Sequence, residues 1–218
     1  MRTENVKHLI KKILPASLTE AIVTYRMPKQ RQKIINQWVE AGRPVPPPHQ
    51  YKQFVIEQYQ LKYQYHTLIE TGTFVGDMVD AQKNNFKQII SIELGEELWK
   101  NAVARFKKYP HITIVKGDSG KVLGGIMKDL EEPAIFWLDG HYSHGITARG
   151  EKDCPIYEEV DAIFKYKKLD HVLLIDDARD FKGKADYPTI HELTNYIKAK
   201  DNRYTVEVKD DILRYTVG

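Results

Sequence analysis

The chain of 218 residues is poor in several things. It has one cysteine, Cys154. No disulfide can form within it, and a structural zinc site built from several thiolates is excluded. A single free thiol fits a reducing, cytoplasmic setting. Cys154 is expected to be a buried or helix-capping thiol rather than a nucleophile. No apolar run approaches the ~20 residues that span a bilayer, so no membrane span is expected. The opening stretch, MRTENVKHLIKKILP, lacks an uninterrupted apolar core and a small-residue cleavage site, and reads as no signal peptide. Charge of one sign is scarce too. The 33 Lys and Arg against 30 Asp and Glu leave a formal charge of +3, which makes no case for a nucleic-acid partner. Internal repeats and low-complexity tracts are missing.

What is present is enough apolar material for a sizeable core, 42% of residues. Residues 1–42 read as three helices: one to Leu14, one from Ser17 to about Tyr25, and one from Lys29 to about Glu40. In the first, Val6, Leu9, Ile10, Ile13 and Leu14 share a face, suited to packing on the body of the protein or on a second subunit. A homodimer through these helices is one expectation. Pro44, Pro46, Pro47 and Pro48 then force an extended segment. The expected division is a helical extension over 1–48 and a main domain over 49–218, the latter opening on a helix over 49–64.

From His66 short apolar runs alternate with helical patterns. The runs are TLIET, KQIISIE, ITIVK, AIFWLD and HVLLID. Helices are expected over 76–85, 96–108, 119–130, 155–168 and 188–200, the last two opened by prolines. YTVEV and DILRYTV close the chain as an antiparallel hairpin across Lys209-Asp210. Buried strands alternating with helices imply an α/β, Rossmann-like doubly wound sheet of seven strands, mostly parallel.

Ligands of such sheets bind beyond the carboxyl ends of the strands. The first strand runs into Glu70-Thr71-Gly72-Thr73-Phe74-Val75-Gly76. This is not the dinucleotide fingerprint, because Phe74 stands where that pattern has its second glycine. Nor is it a phosphate-binding loop, which needs Gly-Lys-Ser/Thr. A leading acid repels a pyrophosphate and attracts an ammonium group. Glu93 closes the second strand, where an acid can grip ribose hydroxyls. Gly117-Asp118-Ser119 closes the third and can hydrogen-bond an adenine edge. Together they suit a cationic adenosine ligand without a pyrophosphate.

This order resembles the class I S-adenosylmethionine-dependent methyltransferases over residues 66–218. The resemblance implies S-adenosylmethionine as cofactor. It implies that Glu70, Thr71, Gly72, Thr73 and Gly76 form the methionine-end loop, that Glu93 binds the ribose, and that Asp118 and Ser119 lie on the adenine side, with Asp139 nearby. Thr73-Phe74-Val75 departs from the more glycine-rich loop of many members.

A second constellation follows. Strand 4 ends in Asp139-Gly140-His141-Tyr142-Ser143-His144, and strand 5 ends in Asp176-Asp177. Three carboxylates at adjacent strand ends are costly unless protonated or neutralised by a cation. Oxygen donors suit Mg²⁺ or another hard divalent ion. The LDG…IDD pair resembles the metal-dependent O-methyltransferases that act on catechols or on natural-product sugars. That resemblance implies Asp139, Asp176 and Asp177 as metal ligands. His141 is the general-base candidate beside Asp139, since an imidazole titrates near working pH. His141 and His144 with Asp139 also imitate a zinc site, though no helix fixes their spacing. The long connection from Gly140 to Cys154 reads as a lid over the site.

The expected function is methyl transfer to a hydroxyl of a small polar acceptor, a sugar among them. The rival readings are a metal-dependent oxygenase on the same sheet, with iron on His141 and Asp176 or Asp177, a nicotinamide-dependent reductase, which the missing second glycine disfavours, and a non-catalytic binding or assembly module working through its N-terminal helices.

Overall fold

The computed structural model describes residues 15–140, 154–166 and 168–218. The first expected helix and most of the Gly140–Cys154 connection, with His141, His144, Arg149 and Lys152, lie outside the described residues.

Three helices come first: α1 (Ala16–Arg26), α2 (Lys29–Glu40) and α3 (His49–Tyr63). Pro28 and Pro48 stand at the N-caps of α2 and α3, where the missing N–H removes no helical bond. Then come β1 (Thr67–Thr71), α4 (Asp77–Gln82), β2 (Gln88–Glu93), α5 (Glu96–Phe106), β3 (Ile112–Lys116), α6 (Ser119–Lys128) and β4 (Ala134–Leu138). After the connection follow α7 (Ile156–Phe164) and β5 (Val172–Ile175). A 3-10 turn at Ala178–Asp180 leads to β6 (Lys182–Lys184), β7 (Tyr187–Thr189), α8 (Ile190–Lys200), β8 (Tyr204–Lys209) and β9 (Ile212–Val217).

The main sheet has seven strands in the order β3-β2-β1-β4-β5-β9-β8. The first five are parallel neighbours. β9 runs antiparallel to both β5 and β8, so six strands point one way and β9 the other. The strand order reverses between β1 and β4, which sets the crevice at the carboxyl ends of those two strands.

The pleat sorts the strand residues onto two apolar layers. Leu68, Ile135, Trp137 and Leu174 face one side, with Trp38, Phe54, Val55, Val79 and Phe106 from α2 to α5. Ile69, Phe136, Leu138 and Leu173 face the other, with Leu123, Val160 and Leu193 from α6, α7 and α8. Both faces are covered, which is why the strands read as continuous apolar runs. α2 and α3 therefore share a core with β1, β4 and β5.

Some boundaries differ from expectation. α7 stops at Phe164, short of 168. α8 is not opened by Pro188, which lies in β7; it starts at Ile190 under a capping box of Thr189 and Glu192. The β6–β7 hairpin is unforeseen, because its strands are three residues long and β6 is fully polar. The last hairpin turns on Asp210-Asp211, one residue later than expected, and both residues take positive φ, +51° and +64°. Asp tolerates that region better than most side chains, as a two-residue turn needs. Among the described residues, no helix is long and apolar enough to cross a membrane.

Candidate functional site

Glu70 is the fourth residue of β1 and is 2% exposed. Its carboxylate accepts from the Ser91 hydroxyl on β2. Burial pushes it up to about 8, further helped by Glu93, although the Ser91 hydroxyl pulls the other way. The chain then turns sharply. Gly72 takes φ +88°, and a Cβ there would lie 2.5 Å from the Asp139 carbonyl oxygen. Gly72 and Thr73 both donate to the carbonyl of Ile92, at 2.9 and 3.1 Å. The Thr73 hydroxyl lies 2.6 Å from that of Ser91. Phe74 carries the strain of the missing second glycine, at φ +50°. Gly76, at φ +84°, opens α4 and packs against the Phe106 ring.

Glu93 binds this turn to the next element. One oxygen accepts the Phe74 N–H at 2.8 Å, and the other accepts the Gly95 N–H at 2.7 Å, where α5 begins. Each carboxylate oxygen has a further lone pair. Asp118 caps α6 by accepting the Gly120 N–H at 3.0 Å, and Ser119 is buried behind it.

Thr71 ends β1. Its hydroxyl accepts the Asp139 N–H at 3.2 Å, locking the ends of β1 and β4 together. A Cβ on Gly140 would come within 3.1 Å of Thr71 Oγ1, 3.1 Å of Glu159 Oε1 and 3.2 Å of Ser119 Oγ. Glu159, on α7, was not foreseen. It is 2% exposed, and its Oε1 has no hydrogen-bond partner. Burial pushes its carboxyl up to about 7, against the pull of the Ser119 and Thr71 hydroxyls. Leu138, Gly140, Pro155 and Glu159 line a small cavity with Cys154, whose buried thiol is raised to about 12 and so stays protonated.

The second constellation holds a residue no motif flagged. Lys52, on α3, forms an ion pair with Asp176 Oδ2 and lies 3.8 Å from Asp177 Oδ1. Burial pulls this ammonium down, but Asp176, Asp139 and Asp177 outweigh it and hold the group above its ordinary value. Asp176 is fully buried; burial raises its carboxyl, and the Lys52 ammonium pulls it back down. Asp139 is pushed well up by burial and by Asp176. Asp177, at φ +56°, takes the Arg179 guanidinium at 2.8 Å, and Arg179 in turn pairs with Asp211 of the last hairpin. Asp139, Asp176 and Asp177 thus all act on the Lys52 ammonium from the ends of β4 and β5.

The donor chemistry suits a hard cation, yet two cations of the chain already sit on it: Lys52 on Asp176, and Arg179 on Asp177. A divalent ion does not fit that arrangement. Among the described residues no group of three or more His, Cys, Asp or Glu has the geometry to hold a metal.

No family model matches the chain, and no curated protein matches it. Solved structures do. An O-methyltransferase from Bacillus cereus, in complex with SAH, aligns at TM-score 0.56 and 12% identity, over 94% of this chain and 100% of that one. The O-methyltransferase TomG of Streptomyces achromogenes, involved in tomaymycin synthesis and solved with SAM, aligns at TM-score 0.56 and 13% identity, over 94% and 100%. The SAH-bound methyltransferase PaMTH1 of Podospora anserina aligns at TM-score 0.52 and 13% identity, over 94% and 89%. At such identities the likeness is one of fold, and it includes the N-terminal helices.

Proposed function

We propose that the protein transfers a methyl group from S-adenosylmethionine to a hydroxyl oxygen of a small polar acceptor, with sugars among the candidates. One observation carries the reading. Glu70, Glu93, Asp118, Asp139 and Asp176 all stand at the carboxyl ends of the parallel strands, around the Gly72 turn. A crevice lined by carboxyl groups at a switch point offers hydrogen-bond acceptors to an ammonium and to ribose hydroxyls, which suits a nucleoside better than a nucleotide. The SAH- and SAM-bound neighbours share this fold.

In this reading Gly72 and Gly140 allow the ligand close to the backbone. Glu93 offers its remaining lone pairs to the ribose hydroxyls while anchoring the loop. Asp118 and Ser119 face the adenine side, and Glu159 brings its unpaired oxygen to the same end. S-adenosylmethionine, when bound, would supply a methyl carbon on a sulfonium sulfur for in-line attack by the acceptor oxygen, with a neutral thioether as the leaving group. The acceptor proton passes to the ionised Asp139 carboxylate, whose affinity for a proton is raised by burial and by the neighbouring Asp176. Most of the rate comes from holding the reacting atoms about 3–3.5 Å apart. A cytoplasmic setting keeps the Cys154 thiol reduced and supplies the cofactor.

The test is calorimetric titration of the full chain with S-adenosylhomocysteine, in Mg²⁺ and then in EDTA. Micromolar binding is expected in both buffers, and a drop of at least about tenfold in Glu93→Ala. A folded protein that takes up no ligand in either buffer would end the reading. Turnover is then sought with labelled S-adenosylmethionine and a panel of sugars and catechols.

A further inference from the structure

Lys52 belongs to α3, outside the alternating strands and helices, yet it reaches the ends of β4 and β5. Its side chain is 15% exposed and its partner Asp176 is 0% exposed. The other Asp176 oxygen, Oδ1, is buried and has no hydrogen-bond partner. A buried carboxylate left without a cation is strongly destabilising, because its charge has lost both water and its partner. The fold therefore demands a positive charge at this point, and the chain supplies it from its own helix. Arg179 does the same for Asp177.

We propose that Lys52 is the resident cation of the acceptor site: its ammonium stands among Asp139, Asp176 and Asp177, where a divalent ion would otherwise sit, and positions the acceptor oxygen. The proposal rests on the methyl-transfer reading above. An ammonium has three N–H donors and no acceptor. One meets Asp176, which leaves donors for the incoming oxygen. Lys52 keeps its proton throughout. It faces the negative charge that develops on the oxygen as the O–H proton moves to Asp139, the new C–O bond forms and the C–S bond breaks. An ammonium at this position suits an acceptor oxygen and repels a protonated amine, so the acceptor class is the hydroxyl. The reaction then needs no added metal.

The experiment uses the full chain, with and without S-adenosylhomocysteine, titrated with Mn²⁺ and read by the resonance signal of the free ion. The wild type should leave the signal untouched. Lys52→Ala opens the place and should bind Mn²⁺ at least about tenfold more tightly than the wild type, with S-adenosylhomocysteine binding retained. Mn²⁺ uptake by the wild type overturns the proposal. So does a folded Lys52→Ala that ignores the ion. Loss of S-adenosylhomocysteine binding by the wild type would instead end the methyl-transfer reading, while the Mn²⁺ result still decides the place of the lysine. If Lys52→Ala unfolds, adding Asp176→Asn removes the stranded charge and should restore the folded state. A double variant that stays unfolded also overturns the proposal.

Discussion

Gly72 and Asp139 stand so close that no side chain fits between them. A Cβ on Gly72 would lie 2.5 Å from the Asp139 carbonyl oxygen, and the Gly72 backbone has φ +88°. The turn after β1 and the end of β4 are in this way one surface. A shift of Gly72 therefore presses on the backbone of Asp139.

Gly72→Ala meets two obstacles at once, a disfavoured backbone region and a rigid backbone oxygen. A loss of about 1–3 kcal/mol in stability is expected, from the strained dihedral alone. Urea unfolding measures it. Binding of S-adenosylhomocysteine should weaken in the same variant, since the loop can relieve the clash only by shifting. A variant with wild-type stability would show that the turn yields freely.

The pH dependence of stability follows from buried groups of opposite behaviour. Glu70 is raised from 4.5 to about 8, chiefly by burial. The folded state holds that proton longer than the unfolded chain does. Its contribution is complete below pH 4.5 and is lost as pH rises to about 8. Glu159 and Asp176, raised to about 7 and about 6, act the same way over narrower ranges. His171 is lowered from 6.5 to about 4 by burial, so its contribution is complete above pH 6.5 and is lost as pH falls towards 4. Stability should therefore decline between pH 7 and 8, and Glu70→Gln should flatten that decline by an amount on the order of 1 kcal/mol per pH unit. Denaturant midpoints at pH 5, 7 and 8 give the comparison. An unchanged slope in the variant would mean that Glu70 ionises normally.

Thr189→Ala removes the N-cap of α8 far from the crevice. The hydroxyl accepts the Glu192 N–H at 3.1 Å, and Glu192 returns a bond from the Thr189 N–H at 2.8 Å. The expected cost is about 1 kcal/mol, seen as a fall of roughly 2–4 °C in Tm for a chain of this size. Affinity for S-adenosylhomocysteine should be unaltered. A larger loss would mean that α8 holds more than its own first turn.

The legible parts of the fold were those with strong periodicity. TLIET and ITIVK match β1 and β3 residue for residue: β1 is buried on both faces, and β3, at the sheet edge and only partly buried, still shows a short β-branched run. β6 and β7 were illegible because KGK is polar and exposed. The acids of the site were legible because they stand at strand ends. Lys52 and Glu159 were not, because each is a charged residue within a helix, where a solvated face is the usual explanation. A signal existed for both. Lys52 lies three and four positions before the buried Val55 and Ile56, and Glu159 lies between the buried Ile156 and Ile163 at helical spacing. A charge on an apolar stripe points to a buried partner. What the spacing of α3 cannot reveal is that partner, which lies 124 residues further along the chain.

That distance has an evolutionary consequence. Positions 52 and 176 belong to different elements but form one electrostatic unit, so neither can drift alone. A lineage that lost the lysine would be left with an acidic vacancy ready for recruitment of a metal, and one that lost the aspartate would strand a buried ammonium. Replacing the leading helices would leave the glycine turn intact while rewriting the charge beside the ends of β4 and β5. A change at one position is therefore expected to persist only where a second change, or a new cation, answers the charge it leaves.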